Sequence, residues 1–102
     1  MVSFERALKD LLKSGKYTMG SKESIEALKL GKAKLLIIAS NAPPKYRDSA
    51  LYYAKLSKIP VYTYKGTTME LGALCGKPFP VSMISVLDEG SSAILEVVEE
   101  GA

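Results

Sequence analysis

A three-layer α/β/α sandwich with a four-stranded mixed sheet is the fold that this chain predicts, and three observations predict it. Short β-favouring runs alternate with segments whose apolar residues recur at helical spacing. One of those runs, Leu35-Leu36-Ile37-Ile38-Ala39, is apolar without a break, as a strand covered on both faces must be. Glycines, prolines and capping residues punctuate the junctions. A length of 102 residues suits one domain, 1–102, built on one core.

Ser3 is placed to cap a first helix whose Phe4, Ala7, Leu8, Leu11 and Leu12 form one stripe, and Gly15 to end it. Tyr17-Thr18-Met19 favours a strand. After Gly20 a second helix starts, with Ser21 as the expected N-cap and Ile25, Ala27 and Leu28 as its apolar face up to Gly31. The buried strand Leu35–Ala39 leads into a loop, Ser40-Asn41-Ala42-Pro43-Pro44, in which Pro44 has the fixed φ that opens a third helix reaching about Ser57. Val61-Tyr62-Thr63-Tyr64 is the third strand. Thr67-Thr68-Met69-Glu70 has the pattern of a capping box at the head of a fourth helix, which Gly76 and Pro78 stop. Val81 to Leu87 is the expected fourth strand, and around Ala93 to Val98 both helix and strand remain open.

Composition narrows the function. All 14 basic residues precede Asp88 and five of the 11 acidic ones lie at or after it, so residues 1–87 carry 14 positive against 6 negative charges, a net +8, and residues 88–102 carry −5. A basic body suits a polyanionic partner, although scattered solvated lysines read the same way. There is no histidine, so no Ser-His or Cys-His pair can form, and no carboxylate pair stands at a telling spacing; an enzyme is disfavoured. The single cysteine, Cys75, fits a buried helix face and can supply neither an internal disulfide nor a zinc site, so no metal or other cofactor is expected. The longest apolar run is too short to span a bilayer and the start lacks the apolar stretch of a secretory signal, which points to a cytoplasmic protein with no membrane partner.

Four places carry candidate chemistry. Gly20-Ser21-Lys22 stands at a strand-to-helix junction, where backbone N–H groups can meet a phosphate, or where a glycine merely turns the chain. Asn41 follows the most buried strand, at the strand end where open α/β sheets place ligands; its carboxamide can read a base edge or bond its own backbone in a turn. Lys45 and Arg47 follow in the next turn, and the planar guanidinium can both bond phosphate oxygens and stack on an unpaired base. Phe79 lies between Pro78 and Pro80, which hold the segment extended; its ring either stacks on splayed bases or folds back onto the core. Tyr52-Tyr53, about 100° apart on a helix, should place one ring inside and the other at solvent.

These residues converge. Gly20-x-Lys22, Gly31-x-x-Lys34 leading into Leu35–Ala39, Ser40-Asn41-Ala42-Pro43, Tyr52-Tyr53-Ala54, Val61-Tyr62, Glu70-Leu71-Gly72 and Gly76-Lys77-x-Phe79 closely resemble, in order and spacing, the ribosomal L-thirty-e family. The resemblance covers nearly the whole chain. It implies a component of the large subunit of archaeal and eukaryotic ribosomes that binds kink-turn RNA through loops at one end of the sheet, monomeric when free and with other ribosomal proteins as further neighbours. Carried over by position, the RNA surface comprises Gly20, Ser21, Lys22, Asn41, Lys45, Tyr46, Arg47, Phe79, Pro80 and Val81. Tyr46 stands where relatives often have a basic residue, which leaves open whether Tyr46 or Arg47 meets the RNA. The related L-seven-A-e proteins typically carry Gly-x-Asn-Glu at the second helix and an acidic residue where Asn41 stands, so Lys22 and Asn41 favour the ribosomal branch. A compact chain without a long basic extension points to an archaeal source. The alternatives are a kink-turn protein of a non-ribosomal guide-RNA particle and a small α/β module binding a phosphorylated metabolite at Gly20 to Lys22.

Overall fold

The computed structural model describes residues 3–101, and the side chains of residues 3–98. In chain order the elements are α1 (Phe4–Ser14), β1 (Lys16–Met19), α2 (Ser21–Lys29), β2 (Leu35–Ala39), α3 (Pro44–Leu56), β3 (Val61–Tyr64), α4 (Thr68–Leu74), β4 (Met83–Asp88) and α5 (Ile94–Gly101). Local chemistry sets their ends. Ser3 Oγ accepts from the Arg6 N–H at 3.2 Å at the start of α1. At α4 the capping box is complete: Thr67 Oγ1 accepts from the Glu70 N–H and the Glu70 carboxylate accepts from the Thr67 N–H. Pro44 opens α3, where a missing N–H costs nothing.

The sheet has the order β1-β4-β2-β3. β2 pairs parallel with β3 and antiparallel with β4, and β4 pairs antiparallel with β1, so three strands run one way and β4 runs against them. Every residue of β2 is buried. Alternation divides them: Leu35, Ile37 and Ala39 face α1, α4 and α5 through Leu8, Leu11, Leu71 and Ile94, whereas Leu36 and Ile38 face α2 and α3 through Leu28, Ala50 and Ala54. This is the predicted three-layer sandwich, and the continuous apolarity of the second strand has the predicted cause.

Two sequence expectations need correction, and one that was open is resolved. Gly20, not Ser21, is the N-cap of α2; its φ of 98° is open to glycine and costly for any other residue. Strand β4 begins at Met83 rather than Val81, because the Val81 N–H is given to the Thr68 carbonyl at 3.0 Å instead of to the sheet. The last element, left open between helix and strand, is a helix whose Ile94 and Val98, four residues apart, share a buried face.

Because β1, β2 and β3 are co-directional, their C-terminal ends meet at one end of the sheet, together with the start of β4. Gly20, the Ser40–Pro43 loop, Lys65–Thr67 and the Lys77–Ser82 loop therefore lie side by side there. At the opposite end Gly90, with φ 61°, packs so tightly that a Cβ would stand 2.5 Å from the Ser14 carbonyl oxygen, and Ser92 Oγ donates to the Ala7 carbonyl.

Candidate nucleic-acid interface

Polar side chains from distant parts of the chain stitch the first end together. The Gly20 N–H donates to the Met83 carbonyl at 3.0 Å, and the hydroxyls of Ser21 and Ser82 lie 2.7 Å apart. Asn41 Oδ1 accepts from the Thr68 N–H at 2.7 Å, filling one of the free donors at the head of α4. Ser40 gives both its N–H and its hydroxyl to the Gly66 carbonyl, and the Ala39 N–H reaches the Ser82 carbonyl at 2.9 Å. Four loops thus act as one platform. Helix α2 is fixed beneath it by buried serines: Ser85 Oγ donates to the Ser24 carbonyl at 2.9 Å, and Ser24 Oγ lies 3.1 Å from Thr18 Oγ1.

What the platform leaves free decides its chemistry. Lys22, Asn41, Lys45, Arg47, Phe79 and Pro80 are exposed, and Ser21 and Tyr46 are half-buried. With Oδ1 occupied by Thr68, Asn41 turns out to be neither a reader with both ends free nor a turn former on its own backbone; its Nδ2 amide remains as a donor toward solvent. Phe79 is 50% exposed, so the ring is presented rather than folded under its loop. The backbone behind it is pressed onto α4 so closely that a Cβ on Gly72 would collide with the Phe79 carbonyl oxygen, which is why a glycine stands in Glu70-Leu71-Gly72. Val81 departs from expectation: its side chain is 2% exposed in the core, so it anchors the loop and is withdrawn from the surface.

Between Asn41, Pro43, Thr68, Pro80 and Ser82 lies a shallow cavity of about 240 Å³. A larger groove, about 360 Å³, runs from Lys22 along the seam of α2 and α3 and includes Lys45 and Tyr46. Tyr46 packs against the α2–α3 core whereas Arg47 is exposed, so of the two the guanidinium is the freer to reach a phosphate. Tyr52 and Tyr53 divide as the helix requires: Tyr52 is exposed and Tyr53 packs inward, with their rings edge-on at 5.2 Å. Thr68 and Ser82 escaped sequence reasoning. Their partners are 27 and 61 residues away, and the only local signal was that each is a small polar residue beside a loop already marked by glycine or proline.

Other chemistry-bearing groups lie elsewhere. Lys34 bonds Glu89 at 3.0 Å at the opposite end, which raises the lysine; the carboxyl of Glu89 is lowered by its own backbone N–H and then by Lys34. Burial pushes the Cys75 thiol up to about 11, so it is no nucleophile. Among the described residues no group of three or more Cys, Asp or Glu could hold a metal ion, and no helix is long and apolar enough to cross a membrane.

Comparison with known proteins places this geometry. The family model for the ribosomal protein L7Ae/L30e/S12e/Gadd45 family matches residues 3–96. The chain is 52% identical over 99 residues to the large ribosomal subunit protein eL30 of Saccharolobus solfataricus, covering 97% of this chain and 92% of the relative. It is also 52% identical to that of Aeropyrum pernix, covering 97% and 99%, and 47% identical to that of Methanothermobacter thermautotrophicus, covering 95% and 99%. A solved structure of a Bacillus halodurans protein of unknown function superposes with a TM-score of 0.80 at 22% identity, covering 97% of this chain and 99% of the other, and speaks for the fold alone.

Proposed function

Since this chain belongs to the ribosomal protein L7Ae/L30e/S12e/Gadd45 family, we propose that it is a non-catalytic constituent of the large ribosomal subunit whose loop end grips a kink-turn in ribosomal RNA. It works in the cytoplasm on the ribosome, beside other ribosomal proteins, and is a one-domain monomer when free. The observation that carries the reading is the platform itself: four loops locked by hydrogen bonds to one another, with cations, a free amide donor and an aromatic ring left facing outward.

Each exposed group has a distinct task. Lys22 and the first N–H groups of α2 meet phosphate oxygens, where charge and helix dipole act together. The Nδ2 amide of Asn41 donates to an acceptor on a base edge, such as a purine N7 or a guanine O6. Arg47 bonds phosphate, and Phe79 packs on a base turned out of the stack. The internal bonds fix the backbone of the loops, so loop ordering costs little on binding, and the entropy lost is that of the exposed lysine and arginine side chains.

Gel-shift titration against a kink-turn RNA and a plain duplex of equal length, at matched salt, tests the reading. The kink-turn should bind much more tightly, and affinity should fall steeply with ionic strength as several phosphate contacts are lost. Equal affinity for both RNAs contradicts the reading, and a shallow salt dependence would fit a ligand with a single phosphate instead.

A further inference from the structure

The groove between α2 and α3 is continuous with the loop platform, since Lys22, Lys45 and Tyr46 belong to both, yet the platform's chemistry uses only its mouth. Its far half is lined by Lys29 and Tyr53, with Glu26 between Lys22 and Lys29. Lys22 and Lys29 are seven residues apart, nearly two full turns, so they stand on one face of α2 with about 10 Å between them along the axis. Lys29 Nζ lies 5.2 Å from the centre of the Tyr53 ring, which holds the ammonium over the groove. No described carboxylate comes within ion-pair distance of Lys22, Lys29 or Lys45; the described pairs are Arg6 with Asp10 and Lys34 with Glu89. Three unpaired cations along an aromatic-floored groove that opens onto an RNA platform suit a sugar–phosphate strand.

Resting on the kink-turn reading, we infer that this groove is the track for one strand of the helical stem that leaves the kink, with phosphates at Lys22 and Lys45 near the mouth and at Lys29 at the far end. Glu26 is the one carboxylate in the track. It repels the backbone between the two lysines of α2 and so sets the positions where phosphates can sit. The groove lengthens the contact and gives the protein a reason to prefer an RNA whose stem continues past the kink. Lys29 and Glu26 are both exposed, so neither substitution removes core packing.

The experiment measures Kd at a series of salt concentrations for the wild type, Lys29→Gln and Glu26→Gln. The RNAs are a minimal kink-turn and two versions in which one or the other stem is extended by about one helical turn. The wild type should gain affinity from extension of one stem. Lys29→Gln should abolish that gain and lower the salt slope by about one unit on that RNA alone. Glu26→Gln should tighten binding to the same RNA, by up to about fivefold, the scale of one solvent-screened charge contact. No gain on extending either stem, or a Lys29→Gln protein that keeps the gain, overturns the inference; so does unchanged or weakened binding by Glu26→Gln. Failure of the wild type to prefer the minimal kink-turn over a duplex is a different result, seen before any variant is made, and counts against the kink-turn reading itself.

Discussion

The two ends of the sheet are closed in different ways. At the loop end, Ser21 meets Ser82, Asn41 meets Thr68 and Ser40 meets Gly66, and these polar bonds leave side chains standing outward. At the other end polar bonds also occur, Ser14 Oγ lying 2.9 Å from Ser91 Oγ and Asp88 accepting from the Gly90 N–H, but closure there adds backbone pressed on backbone, at Gly90 against Ser14, and the buried hydroxyl of Ser92, with a surface pair between Lys34 and Glu89. Charge is also uneven along the sequence, basic before Asp88 and acidic from there on. Both ends carry polar bonds and exposed lysines, but among the described residues the loop end combines its cations with an outward aromatic ring, Phe79, and the amide of Asn41. A surface built to be held still while it touches something else looks like the first, and a surface that only has to stay shut looks like the second.

The strongest way to break this comparison is at its glycines. Gly90→Ala puts a Cβ into the Ser14 carbonyl at a positive φ, so it should cost about 2 to 4 kcal/mol in stability, while the protein that still folds binds RNA normally. Gly72→Ala drives a Cβ into the Phe79 carbonyl and should cost about 1 to 3 kcal/mol, but here RNA affinity should fall as well, because the displaced loop carries the ring. Urea unfolding and gel-shift titration on the same preparations separate the two; equal effects on RNA binding would mean the ends are not functionally distinct.

Phe79→Ala sharpens the contrast from the other side. A fully buried Phe replaced by Ala costs about 3 to 5 kcal/mol, whereas this half-exposed ring should cost well under that in folding and about 1 to 3 kcal/mol in RNA binding, with the salt slope unchanged. Lys22→Ala should lower the slope by about one unit. Asn41→Ala strands the Thr68 N–H at a solvent-exposed helix start, an N-cap-like loss of about 1 kcal/mol, and removes the proposed base contact besides. Asn41→Asp keeps the acceptor for Thr68 and loses the donor, so it should restore melting temperature without restoring affinity.

Much of this was legible in the chain because it is local. The unbroken Leu35–Ala39, the Thr67–Glu70 capping box and Pro44 at a helix start each depend on neighbours within a few residues, and each is where the sequence puts it. Local chemistry failed where a distant partner took over: Ser21 looks like a cap until Ser82 claims its hydroxyl, Val81 looks like ladder until Thr68 claims its N–H, and Asn41 looks free until α4 arrives from 27 residues on. The candidate site was proposed from its residue types; the bonds that hold its loops together are non-local and could be seen only in three dimensions.

The central claim is that one end of the sheet meets RNA and the other does not, and backbone amide chemical-shift mapping on titration with a kink-turn RNA tests it most directly. Shifts and exchange protection should concentrate at Gly20 to Lys22, Asn41, Lys45 to Arg47 and Phe79, leaving Gly15, Lys34, Glu89 and Gly90 unmoved. Equal or larger changes at that second group, with the loop end silent, would contradict the account.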